Sequence, residues 1–150
     1  VGYNYRLSNV CAGIGRGQME VINDRVALRR KNHEFYKEIF TKFVGVKLFS
    51  EPNDDFKSNH WLSAILINPK DTDGIDRENL RLAFDEVNIE SRPLWKPMHM
   101  QPIFEKAEFF GSNIAENLFN NGLCLPSGSN LSEQDKKRIQ VILEKMFISK

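Results

Sequence analysis

A chain of 150 residues, 41% hydrophobic and 11% aromatic, is long enough for one self-sustaining core and too apolar for a disordered segment. Its 21 Lys and Arg against 20 Asp and Glu argue against a dedicated nucleic-acid binder, which normally carries a strong basic excess. No apolar run approaches the roughly 20 residues that span a bilayer, so no membrane partner is expected.

The opening residues, Val1 to Ser8, form no secretory signal pattern, and the expected compartment is cytoplasmic. A first residue that is not Met leads to the expectation that the chain begins inside a longer protein. Cys11 and Cys124 lie far apart without metal-ligand spacing and read as two buried thiols in a reducing environment.

From Ser8 the pattern is helical, with Val10, Ile14, Gln18, Val21 and Ile22 on one face and Gly13 and Gly17 flattening the next. Asn23-Asp24 predicts a break and a new N-cap. A second helix then carries an apolar stripe of Leu28, Phe35, Tyr36, Ile39, Phe40 and Phe43. Arg25, Arg29, Arg30, Lys31 and Lys37, interleaved with Glu34 and Glu38, read as its solvated side. Gly45 is expected to end this helix, and Val46 to Phe49 reads as a short strand.

Trp61 to Ile67 is a nearly continuous apolar run, predicted as a central strand. Asp76 is positioned to cap a helix whose face is Leu80, Ala83, Phe84 and Val87. Ile89 to Leu94 reads as a strand stopped by Pro93 and Pro97. Asn113 with Glu116 suggests a capping box for a helix reaching Asn121, with Gly122 as its left-handed stop. Leu123 to Leu125 is a short strand, and Ser132 with Asp135 opens a last helix lined by Ile139, Ile142, Leu143 and Met146. This order of elements predicts an α+β layer, a few strands covered by helices, with the first helical pair projecting as a long arm.

Two segments could carry chemistry. In YNYRLSN (residues 3–9), Asn4, Arg6 and Ser8 precede a helix, where they can cap it or converge on an anion; spacing alone favours capping. In SRPLWKPMHMQP (residues 91–102), three prolines stiffen a loop that projects Arg92, Trp95, Lys96 and His99. His99 could act as acid or base, although a single loop histidine is more often structural. There is no GxGxxG, P-loop, HExxH or GxSxG pattern, and His33, His60 and His99 lack metal-ligand spacing, so no metal is expected.

Taken together, these segments resemble the DegT/DnrJ/EryC1/StrS family of pyridoxal phosphate-dependent nucleotide-sugar aminotransferases. GYNYRLSNVCAGIGRGQMEVI is similar to the segment that follows the cofactor lysine, and DRVALRRKNHEFYKEIF to the helix after it. RPLWKPMHMQPIF resembles the substrate-side loop, and LCLPSGSNLSEQDKKRI the terminal strand and helix. Gly13 stands where the family often has Ala.

The resemblance covers essentially the whole chain. It implies the C-terminal small domain of a fold-type I aminotransferase, with a small, mostly antiparallel sheet. Residues 1–43 would be a helical arm and interface segment, and residues 44–150 the sheet-and-helix domain. The Schiff-base lysine would lie upstream of Val1, so this portion holds no catalytic residue and is expected to be inactive alone.

The resemblance further implies a homodimer in which Asn4 reaches the cofactor phosphate of the other subunit, with Arg6 beside it. Trp95, Lys96 and His99 would border the sugar pocket. The substrate would be a 4-keto-6-deoxy nucleotide sugar, a UDP-linked N-acetyl derivative being favoured, with glutamate as amino donor. Some relatives carry histidine in place of the lysine and act as sugar dehydratases, an outcome this stretch leaves open. A non-catalytic dimerisation or ligand-binding module is the reading from a different class.

Overall fold

The computed structural model describes residues 2–3 and 5–148. Two helices, α1 (Asn9–Glu20) and α2 (Ile22–Phe40), lead into strands β1 (Val46–Leu48) and β2 (Ser63–Ile67). Then come α3 (Arg77–Asp85), β3 (Arg92–Pro93), two short 3-10 turns (Met98–Met100 and Pro102–Phe104), α4 (Ile114–Asn121), β4 (Gly122–Leu125) and α5 (Glu133–Phe147). The strands form one sheet in the order β1-β2-β4-β3, with every neighbouring pair antiparallel. This is the expected α+β layer.

The core lies between that sheet and α2, α3 and α5. Tyr36, Ile39, Phe40 and Phe43 pack with Ile65, Ile67, Leu123 and Leu125 from the central strands, and with Leu80, Phe84, Ile139 and Leu143 from the other helices. All four residues of β4 are buried, and β2 alternates between buried and half-buried positions. Burying such side chains fully is worth about 1.5–3 kcal/mol each, which makes this cluster the main source of cohesion.

The apolar stripe of α2 is interior only in its second half. Leu28, nearer the start, remains exposed, because the helix there runs beyond the sheet. No described residue of α1 is buried, and Val10 and Ile14 are exposed, so the predicted arm face is uncovered. Cys11 on this helix is likewise exposed; of the two thiols expected inside, only Cys124 is buried.

Two predicted caps are realised as full capping boxes: Asp76 with Asn79 for α3, and Ser132 with Asp135 for α5. Others differ. The joint between α1 and α2 is Val21, not Asn23-Asp24: the Val21 N–H closes on the Gln18 carbonyl while its own carbonyl accepts from Arg25. Asp24 therefore sits in the first turn of α2, where its charge suits the positive end of the helix. Helix α2 stops at Phe40, and a turn leads to Gly45, whose φ of +81° and contacts with Asp71 and Thr72 leave no room for a side chain.

The strand expected over residues 89–94 contracts to Arg92–Pro93. The Ile89 N–H is drawn back to the Phe84 carbonyl, and Pro93, at a sheet edge, has no N–H to pair. Asn113 makes no side-chain capping bond to α4: at φ −75° and ψ 13° its backbone is outside the extended geometry that a side-chain cap uses, and the Glu116 carboxylate, expected to reach back to it, meets His99 instead.

Gly122 is not a left-handed stop: at φ −99° and ψ 138° it is extended and opens β4. Glycine is needed there for space, since a Cβ would run into the Leu94 side chain and the Leu118 carbonyl. Gly122→Ala is therefore expected to destabilise the fold by about 1–3 kcal/mol, the range for overpacking a filled core. A wild-type urea-unfolding midpoint would contradict this packing.

Candidate functional site

Strands β2 and β4 run side by side from Leu66↔Gly122 to Ser63↔Leu125 and then part. The next residue of β4 is Pro126, which has no N–H to continue the ladder. The Ser127 hydroxyl substitutes for one rung: its Oγ accepts the Ser63 N–H at 2.8 Å and donates to the Leu125 carbonyl at 2.7 Å. Beyond this point a cavity of about 670 Å³ opens. Trp61 and Leu62 form one wall, residues 90–95 another, and Phe119 with residues 124–127 the floor. Its volume lies in the usual range for small-molecule sites.

Both tryptophans of the chain, Trp61 and Trp95, border this cavity and expose their rings. Arg92 lines it as well, its guanidinium held by Glu90 Oε1 at 2.8 and 2.5 Å. Burial pushes the Cys124 thiol up, so this floor residue stays protonated and apolar instead of acting as a nucleophile. Among the described residues, no lysine lines the cavity.

The residues singled out by sequence divide. Trp95 is a cavity wall. Lys96 follows it, exposed and outside the lining, with its carbonyl 3.5 Å from Gln101 Nε2. His99 is also outside the lining. Its Nε2 lies 2.7 Å from Glu116 Oε1 on α4, and its ring centre is 3.9 Å from that of Phe109. The loop is thus fastened to α4 through the very glutamate that sequence spacing assigned to a cap.

Arg6 is exposed two residues ahead of the α1 N-cap. Ser8 fills that cap by accepting the Cys11 N–H at 3.2 Å, as the spacing favoured. The first turn of α1 contains no acidic residue. Asn4 lies outside the described residues.

A polar seam runs along α2, largely on residues that sequence patterning places on its solvated side or leaves unassigned. Arg29, Asn32, His33 and Tyr36 stand at i, i+3, i+4 and i+7, one helical face. Arg29 Nη1 donates to the carbonyls of Trp61 at 2.5 Å and Ser127 at 3.3 Å. Asn32 donates to the Gly128 carbonyl at 2.8 Å, and the Tyr36 hydroxyl to the Pro126 carbonyl at 2.7 Å. Burial raises the Tyr36 pKa, which keeps that donor protonated. Arg30, also read as solvated, donates to Glu51 Oε1 at 3.1 Å and to the Ser58 carbonyl. The available signal was the helical spacing of these polar residues beside the apolar stripe.

Within the seam, the rings of His33 and His60 stack 3.6 Å apart at 10°. His33 Nδ1 is 3.3 Å from Ser63 Oγ, and His60 Nε2 is 3.1 Å from Glu51 Oε1. Both histidines are buried, and desolvation holds both below their usual pKa. For His33 the nearby His60 adds to this; for His60 the Glu51 carboxylate opposes it without reversing it. Glu51 itself is lowered to about 2, chiefly by backbone hydrogen bonding.

With folded values below the unfolded one near 6.5, the unfolded chain binds more protons in that window. The stability of the neutral pair is therefore complete above about pH 6.5 and is lost as the pH falls, whereas Glu51 stays charged until far lower. The urea midpoint is expected to drop between pH 7.5 and 5.5, and His33→Gln to flatten that slope. A midpoint independent of pH across this interval would contradict the neutral stack.

A sequence model of the DegT/DnrJ/EryC1/StrS aminotransferase family matches residues 1–144. The protein EpsN of Bacillus subtilis (strain 168) is 38% identical over 98% of this chain, which covers 38% of it. GDP-perosamine synthase of Escherichia coli O157:H7 is 34% identical over 89% of the chain, covering 35% of that enzyme. The solved structure of Helicobacter pylori PseC, an aminotransferase involved in the biosynthesis of pseudoaminic acid, superposes on all of this chain with a TM-score of 0.83 at 20% identity. The chain spans 40% of that structure, so it accounts for less than half the length of each of these proteins.

Proposed function

The chain belongs to the DegT/DnrJ/EryC1/StrS aminotransferase family, and we propose that it is the C-terminal portion of an enzyme that moves an amino group from glutamate to a 4-keto-6-deoxy nucleotide sugar. Residues 1–43 serve as arm and interface segment and residues 44–150 as the sheet-and-helix domain. The observation that supports this reading best is a cavity framed by two indole rings at the loop that resembles the family's substrate loop.

Flat aromatic faces suit a nucleotide base or a sugar ring, so Trp95 and Trp61 take the apolar surface of the substrate. Lys96, exposed on the same loop, supplies positive charge toward a diphosphate. His99, held between Glu116 and Phe109, keeps the loop in place along the sugar pocket.

Pyridoxal phosphate, when bound, supplies the electron sink that lets an amine pass from one carbon to another. The residues here fit its phosphate: Arg6 stands exposed before a helix whose first turn lacks acidic side chains. An amide at Asn4 adds a neutral donor to an anionic oxygen, reaching across the interface of a homodimer. The lysine that anchors the cofactor belongs to the remaining length of the protein, upstream of Val1. On the loop resemblance, a UDP-linked N-acetyl sugar is the favoured substrate. The GDP in the name of one relative makes guanosine the nucleotide to test beside it.

The test uses the full-length protein with pyridoxal phosphate, glutamate and UDP- or GDP-linked 4-keto-6-deoxy sugars. Release of 2-oxoglutarate with an equal yield of amino sugar is expected. A product that has lost a hydroxyl without gaining nitrogen would point to dehydration and overturn the transfer. Asn4→Ala is expected to weaken pyridoxal phosphate retention about tenfold, the scale of one hydrogen bond to a charged group. Unchanged retention on dialysis would remove Asn4 from the cofactor site.

A further inference from the structure

The antiparallel register that pairs Ser63 with Leu125 would, if continued, set Trp61 opposite Ser127. That pairing is not made, and the side chain of Arg29 is found there instead. Its Nη1 donates to the carbonyls of both residues, so one charged nitrogen from α2 bridges the two diverging strand ends. Arg29 itself is half-buried and does not line the cavity, whereas Trp61 and Ser127 do.

We propose that Arg29 is a positioning residue for substrate: by bridging the Trp61 and Ser127 carbonyls it fixes the spacing of the two cavity walls, and with it the placement of the nucleotide part of the sugar substrate. The proposal rests on the reading of the cavity as the nucleotide-sugar site. Its physical basis is local. The Ser127 hydroxyl bond supports one side of the split, and Arg29 supplies a charge-assisted closure one step further out, at the point where Trp61 turns toward the cavity. Without it, two carbonyls at the base of the wall lose their donor and the indole of Trp61 loses its fixed origin.

The experiment uses the full-length holoprotein labelled with 5-fluorotryptophan, with the fluorine resonances of Trp61 and Trp95 identified through Trp61→Phe and Trp95→Phe. UDP and GDP, each added alone, are the binding probes. In the wild type, one of them is expected to move both resonances. Arg29→Gln is expected to shift the Trp61 resonance before any nucleotide is added. It should raise KM for the nucleotide sugar about tenfold, equivalent to about 1.4 kcal/mol, and leave kcat and the KM for glutamate within about twofold, the pattern of lost binding without lost chemistry.

Arg29→Lys, which keeps the charge on a single nitrogen, is expected to recover part of the KM. A wild-type Trp61 resonance and KM in Arg29→Gln would overturn the inference, as would an equal fall of every kinetic parameter together with melting temperature. If Arg29→Gln does not fold, Arg29→Met, which keeps the length of the stem and removes every donor, carries the test: a raised KM supports the role and a wild-type KM overturns it. If neither nucleotide moves a tryptophan resonance of the wild type, the cavity is not the nucleotide site, and the inference falls with that assignment.

Discussion

The contact on which the rest depends is the polar seam where α2 meets the frayed end of the sheet. Pro126 stops the β4 ladder, and the three carbonyls of Pro126, Ser127 and Gly128 receive their donors from Tyr36, Arg29 and Asn32, at 2.7, 3.3 and 2.8 Å. Backbone carbonyls taken from water need partners, and here one helix face provides all three. A typical net gain of about 1 kcal/mol per bond is modest. Its consequence is geometric: the strand ends are held apart, and the space between them becomes a cavity instead of collapsing into another rung.

The seam also ties the arm to the site. The second half of α2 is core, through Tyr36, Ile39 and Phe40, while its first half carries Arg29 beside the cavity and leads back to α1. Val10 and Ile14 on α1, and Tyr3 and Tyr5 ahead of it, leave apolar surface uncovered at the start of the chain. A chain that accounts for about two-fifths of the length of its relatives leaves room for such a surface to be covered by the rest of the same protein.

What could be read from sequence follows the range of the forces involved. The capping boxes at Asp76 and Ser132 are local, need only three-residue spacing, and form as expected. The helical spacing of Tyr36, Ile39 and Phe40 is a periodic signal and the nearly continuous apolar run in β2 a compositional one, and both mark the core correctly. Glu116 shows where such reasoning stops: its spacing from Asn113 suits a cap, yet a histidine 17 residues away in sequence takes it, an outcome only tertiary approach decides. Gly122 stands out in sequence as a helix stop, yet what requires glycine there is crowding by Leu94, which has no local signature. Arg29 and Arg30 looked solvated since their acceptors are backbone carbonyls and a glutamate distant in sequence. Of the candidate site, Trp95 was legible from its proline-braced loop, while its counterpart Trp61 was read only as the start of a strand.

On the proposed function, the space between the parted ends of β2 and β4 receives a nucleotide sugar. The most direct measurement is a crystal structure of the full-length protein with its nucleotide-linked product bound. Electron density for the nucleotide or sugar is expected against the indoles of Trp61 and Trp95, with the Arg29 bridge intact behind them. Density for the ligand elsewhere, with this cavity filled only by water or by a neighbouring segment of the protein, would contradict it.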